Sequence, residues 1–163
     1  MAYDIYDASI PPLIHMLGGL ITILSKGEAH GGIDPSEARL APDMLPLKAQ
    51  VYIATDGAKG CGARLAGVEI PKYEDTETTF AELKARVAKT IAFLKGLDRK
   101  SFAGAEGKEV VLKFPNATFE FNGATYVGNF VLPNVYFHIT TAYGILRNKG
   151  VALGKGDYLG GEK

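Results

Sequence analysis

Tryptophan is absent from this 163-residue chain, cysteine occurs once, and the formal net charge is zero. A single cysteine, Cys61, excludes an intrachain disulfide and a thiolate metal cluster. Eighteen basic residues balance 18 acidic ones, so the basic surplus of a nucleic-acid binder is missing and no nucleic-acid partner is expected. No apolar run approaches the roughly 20 residues that span a bilayer, and no membrane partner is expected either. The N-terminus has neither the basic start nor the small-residue cleavage site of a signal peptide, which points to a cytoplasmic protein. Two phosphate and nucleophile motifs are also missing. There is no Gly-x-x-x-x-Gly-Lys-Ser/Thr loop and no Gly-x-Ser-x-Gly elbow.

What remains is an ordinary globular composition, 47% apolar and 22% charged, in one domain over 1–163 that is long enough to bury a core. Four segments carry helical periodicity. The first runs from about Tyr3 to Ala29, with Ile10, Ile14, Leu17, Ile21 and Leu24 at alternating steps of four and three. Pro11 and Pro12 predict either a helix that starts there or a kink behind an earlier piece. The second helix spans about Leu45 to Leu65, on a stripe of Met44, Leu47, Val51, Ala54, Ala58, Cys61, Leu65 and Val68. Its glycines, Gly57, Gly60 and Gly62, suit either close helix approach or a locally weak helix. Residues 67–77 read as a crossover loop.

Thr79 and Glu82 predict a capping box opening the third helix, with Phe80, Leu83, Val87, Ile91 and Leu94 as its buried face. The texture then changes. Strict alternation over 109–114 and 118–121, broken by Pro115-Asn116, predicts a β-hairpin inserted between helices three and four. The fourth helix follows Asn122-Gly123 and runs to about Asn148, with Pro133 a possible break. The glycine-rich tail either lies over the bundle or frays. The fold class is therefore all-α, a four-helix bundle with a small β-hairpin.

His138 is the best single pointer to a site. Asn134, His138, Thr141 and Ile145 follow at steps of four, three and four, so they line one stripe of an otherwise apolar helix. Such a stripe must meet polar partners inside the fold or face a cavity. Gln50 lies beside the apolar stripe of helix two, where its amide would point inward and need partners. His138 and Gln50 could equally serve as interhelical hydrogen bonds. His15 reads as a rim residue and His30 as a complement to the helix dipole. Cys61 reads as a small hydrophobe, Asp56 as solvent-facing, and Glu74, Asp75 and Glu77 as a solvated charge run. Tyr136 and Tyr143 lie off the stripe of His138.

The blocks Arg39-Leu40-Ala41-Pro42-Asp43-Met44, Ala54-Thr55-Asp56, 67–73 (Gly-Val-Glu-Ile-Pro-Lys-Tyr) and 137–143 (Phe-His-Ile-Thr-Thr-Ala-Tyr) resemble an uncharacterised bacterial family of unknown function. That family is grouped with the DinB/YfiT-like metalloenzyme superfamily, and the resemblance covers nearly the whole chain. It implies a DinB-like four-helix bundle, often dimeric, with a crossover between helices two and three. Many relatives hold a divalent metal through one histidine on helix two and a His-x-x-x-His pair on helix four. That pair is followed nine residues later by arginine, and Arg147 stands nine after His138. By this resemblance His138 matches the second histidine, Asn134 the first and Gln50 the helix-two ligand.

Two of three ligand positions thus carry amides, which are poor ligands for zinc or nickel. The resemblance implies a degenerate metal site that binds an unidentified small molecule through Gln50, Asn134 and His138. In that pocket His138 is the candidate catalytic residue, as a general base. One alternative is a divalent-metal-dependent thiol transferase or hydrolase, with His138 the only matching metal-ligand position. Another is a non-catalytic structural or dimerisation module. A homodimer is expected. The sequence implies no cofactor beyond that alternative metal.

Overall fold

The computed structural model describes residues 3–160. Helix α1 (Ile5–His30) opens on a capping box: Asp4 accepts the Asp7 N–H while Asp7 accepts the Asp4 N–H. That box sets the helix start ahead of Pro11 and Pro12, which therefore lie inside one unbroken element. Its fully buried line runs through Ile10, Leu13, Leu17, Leu20 and Leu24, with Ile14 and Ile21 only partly covered. The expectation about apolar runs is corrected here. α1 has 26 residues and a mean hydropathy of 1.5 over its most apolar stretch, enough by length and composition to cross a membrane. It is also a core helix, because 56% of that stretch is buried inside the protein.

Helix α2 (Leu47–Ala66) ends at Gly67, whose φ of 73° is the left-handed cap that glycine adopts freely. Val68, placed on the apolar stripe by its spacing, lies beyond this cap and is exposed. The interior glycines serve close approach. A Cβ on Gly62 would stand 2.7 Å from Leu97 Cδ1, and one on Gly57 would stand 3.1 Å from Val135 Cγ2.

Helix α3 (Phe80–Lys95) begins with the expected Thr79–Glu82 box. Contacts between helices give the topology. Arg86 meets Thr55 and the Gly62 position abuts Leu94, so α3 runs parallel to α2. Residues 67–79 must then return along the whole of α2, and the Tyr52 hydroxyl donates to the Glu77 carbonyl on the way. This is the crossover. A long return connection needs fastening, and Arg86 supplies it.

The Arg86 side chain is 1% exposed and donates from Nε to Thr55 Oγ1 at 2.8 Å. Its two Nη atoms reach Asp56 at 2.9 Å, Asp75 at 2.6 Å and Glu77 at 3.1 Å. The rings of Tyr52 and Tyr73 cover the guanidinium at 4.6 and 4.8 Å. Buried Lys59 pairs with Asp56 and sits 3.9 Å from the Tyr73 centroid. Asp56 and Asp75 do face solvent, with side chains 45% and 47% exposed, but like the more covered Glu77 (21%) each also pairs with a buried cation, which spacing did not reveal. Glu74 alone of the run stays exposed and unpaired among the described residues. Asp75 takes a left-handed φ of 55°, which aspartate tolerates better than most residues.

After α3, two short 3₁₀ turns (Arg99–Phe102 and Ala105–Gly107) lead to the hairpin. Strands β1 (Glu109–Phe114) and β2 (Ala117–Asn122) pair antiparallel, with Leu112 opposite Phe119 and Phe114 opposite Ala117. Val110 and Leu112 are buried, and Phe121 packs against Tyr126 and Phe130.

Asn122 then caps α4 (Gly123–Thr125), a single turn that widens into a π-helical segment (Tyr126–Val131) before α5 (Leu132–Asn148). The widening has a local cause. Pro133 lacks an N–H and its ring crowds the carbonyl four residues back. A wide turn makes room, and the Leu132 N–H bonds the Val127 carbonyl, five residues earlier. Pro133 thus adjusts the helix without breaking it.

α5 runs antiparallel to α2, with Gly57 against Val135 and Gln50 against His138. The tail lies over the bundle: α6 (Lys155–Leu159) crosses α1, where a Cβ on Gly19 would meet the Tyr158 carbonyl oxygen at 2.5 Å.

Candidate functional site

Gln50 sits in the first turn of α2, 2% exposed, and its Nε2 donates to the Leu45 carbonyl at 2.9 Å. That bond fixes which way the amide faces. Oε1 is left pointing at α5, where His138 Nδ1 lies 2.7 Å away. An amide oxygen only accepts, so Nδ1 must carry the proton. In the neutral imidazole Nε2 then holds the free lone pair.

Nε2 has no hydrogen-bond partner among the described residues. No fully buried side-chain nitrogen or oxygen there is left unpaired, so Nε2 must reach solvent. The same reasoning applies to the Asn134 amide. It lies one turn before His138 on α5 and makes no hydrogen bond among the described residues. Its Nδ2 lies 3.6 Å from where a Cβ on Gly57 would stand.

Half-burial lowers the His138 pKa from its ordinary 6.5 by desolvating the charged form. The neutral imidazole is therefore the favoured form at pH 7. Phe137 packs edge-on to it, with centroids 5.2 Å apart, while 57% exposed itself. Leu45, whose carbonyl orients Gln50, is 51% exposed. The arrangement is an oriented acceptor that reaches solvent beside the exposed ring of Phe137.

The three expected site residues, Gln50, Asn134 and His138, are therefore not equivalent. His138 and Gln50 meet directly, with Gln50 acting through the imidazole instead of beside it. Asn134 lies nearby on α5 with its amide capacity unused. Thr141 returns its hydroxyl to the Phe137 carbonyl at 2.8 Å, and Ile145 is core. Phe137 and Leu45 were missed by the periodicity, which scores an exposed apolar side chain as noise.

The other expected positions are bland. His15 sits at the rim and meets the Leu159 carbonyl at 2.8 Å; His30 meets the Gly31 carbonyl at 3.0 Å. Burial pushes the Cys61 thiol up to about 12, so it is a small hydrophobe and no nucleophile at neutral pH. Tyr143 is tied to the Leu153 carbonyl at 3.3 Å.

A divalent metal does not fit these residues. No group of three His, Cys, Asp or Glu side chains among the described residues could hold one. At the stripe the donor set is one imidazole and two amides, and the Gln50 oxygen already accepts from Nδ1.

Comparison with known proteins agrees with this architecture. Residues 5–159 match the family model described as "Domain of unknown function (DUF1993)". A solved structure of a DinB family member protein from Shewanella denitrificans is 38% identical, with a TM-score of 0.81. That similarity covers 94% of this chain and 90% of the other. No curated protein matches. A helical bundle with a two-stranded hairpin, a crossover loop and this breadth of similarity place the chain in the DUF1993 family, a DinB-like family of unknown function.

Proposed function

We propose that the protein binds a small molecule around His138, Asn134 and Gln50. The observation that carries this reading is the open Nε2 of a neutral imidazole whose Nδ1 is pinned by Gln50 at 2.7 Å. A purely interhelical hydrogen bond would need only the pinned side of the ring. The ligand must present an O–H, N–H or S–H donor to Nε2. The Asn134 amide can donate to or accept from a second polar group, and Phe137 and Leu45 can flank an apolar part. If the bound molecule reacts, His138 is the general base, since a neutral ring with a free lone pair is what proton removal requires. Gln50 then fixes the tautomer.

The test is a thermal-shift screen of small alcohols, amides and thiols on the wild type and His138→Ala. Hits are followed by the ¹⁵N resonance of His138 Nε2. The expected result is saturable stabilisation that vanishes in the variant, with the Nε2 resonance moving at the same concentrations. Hits that leave Nε2 unmoved, or that persist in His138→Ala, would contradict the proposal.

A further inference from the structure

One cavity lies away from His138. It has a volume of about 580 Å³ and lies between the first turns of α1 (Ile5, Ala8), the π-helical segment (Val127, Gly128) and the start of α5 (Leu132). His138 is six residues further along α5, about 9 Å at the helical rise. The lining is mostly apolar, and its only charged residues are Asp4 and Glu106. A neighbouring hollow of about 500 Å³ shares both carboxylates, so the two meet there.

Three features set this hollow apart from incidental surface relief. Its wall is the π-helical segment, a rare geometry that sacrifices regular hydrogen bonding and tends to occur at functional sites. Within that segment Gly128 has nothing within 4 Å of an added Cβ. Neither packing nor a positive φ requires glycine there, yet glycine in a helix is unfavourable. A larger side chain is therefore admitted at this exposed position without a clash. Third, the two acids differ: Asp4 is held by Arg99 at 2.9 Å and by the Asp7 N–H, whereas Glu106 has no partner among the described residues. Glu106 is an exposed anion on the lining of an apolar hollow of ligand size.

We infer that this cavity is a second small-molecule site, one that takes an amphiphile with an apolar body and a single ammonium head. The body packs against Ile5, Val127 and Leu132, and the head faces Glu106. An anionic head on the same skeleton is disfavoured by Glu106.

The test is an amide-shift titration of the full chain with n-hexylamine, with 1-hexanol and hexanoate as comparators. Gly128→Leu fills the hollow from an exposed position, and Glu106→Gln removes the charge without changing shape. Saturable shifts at Ala124, Val127 and Gly128 are expected with hexylamine, weaker ones with hexanol and the weakest with hexanoate. Gly128→Leu should abolish binding while leaving shifts elsewhere as in the wild type. Glu106→Gln should weaken the amine about two- to fivefold, the range for an exposed ion pair, and leave hexanol unchanged. Hexanoate binding as well as hexylamine, unchanged affinity in Gly128→Leu, or no saturable shift at these residues would each overturn the inference.

Discussion

Two polar groups of side chains are set into the apolar bundle, one around Arg86 and one around His138, and they are finished differently. Around Arg86 every guanidinium nitrogen has a partner, three carboxylates converge, and two tyrosine rings close the remaining faces. Around His138 the bonds stop halfway: Gln50 is satisfied at both ends, while Nε2 and the Asn134 amide face solvent. A buried charge that lacks partners is strongly unfavourable, so the first cluster is complete because it must be. A neutral imidazole tolerates an open end. The completed cluster belongs to architecture, fastening the crossover to α2 and α3; the incomplete one has capacity left for a ligand.

The largest expected effect breaks the first cluster. Arg86→Ala empties the buried guanidinium site and leaves three partly exposed carboxylates and Thr55 without their partner. Unfolding in urea should show a loss of about 3 kcal/mol, the low end for a broken buried pair because those carboxylates keep water. A loss within the range of surface substitutions would mean that the crossover is not fastened there. Gln50→Leu comes next. It deprives the Leu45 carbonyl and His138 Nδ1 of their partner, and a loss of about 1–3 kcal/mol is expected in the same measurement. Ligand binding at His138 should fall as well, because the ring is then free to change tautomer.

Asp75→Asn sharpens the contrast more gently. Asparagine keeps the left-handed backbone at this position and removes only the charge. Because the Asp75 side chain is 47% exposed, the loss should stay at about 0.2–1 kcal/mol. The smallest effect concerns pH. Burial holds the folded His138 pKa below 6.5, so the unfolded chain takes up its proton first on acidification. The contribution of the neutral ring is complete above pH 6.5 and is lost as pH falls through the folded pKa. Comparing urea midpoints of wild type and His138→Ala at pH 7.5 and pH 5 should show the wild type losing more on acidification.

The difference between these clusters also explains what could be read from the chain. The Thr79–Glu82 box, the alternation of Val110, Leu112 and Phe114, and the glycines of α2 are local signals, and local geometry followed them. His138 was legible because a titratable side chain on an apolar helix stands out. Arg86 was passed over although it lies on the line of Leu83, Val87 and Thr90. Its carboxylates come from 11, 9 and 30 residues away, and nothing in spacing tells a solvated acid from one folded back onto a buried cation. The π-helical segment was hidden for a similar reason: Pro133 announces a disturbance, but packing decides whether the helix breaks or widens.

The central claim is that Gln50 presents His138 as a neutral ring with Nε2 open. Long-range ¹H–¹⁵N correlation of the His138 imidazole across pH 5 to 8 tests it directly. At pH 7.5 the spectrum should show Nδ1 protonated and Nε2 with the shift of a free lone pair, titrating below pH 6.5. In Gln50→Leu that preference should be lost. A proton on Nε2 in the wild type, or a titration above pH 6.5, would contradict the account.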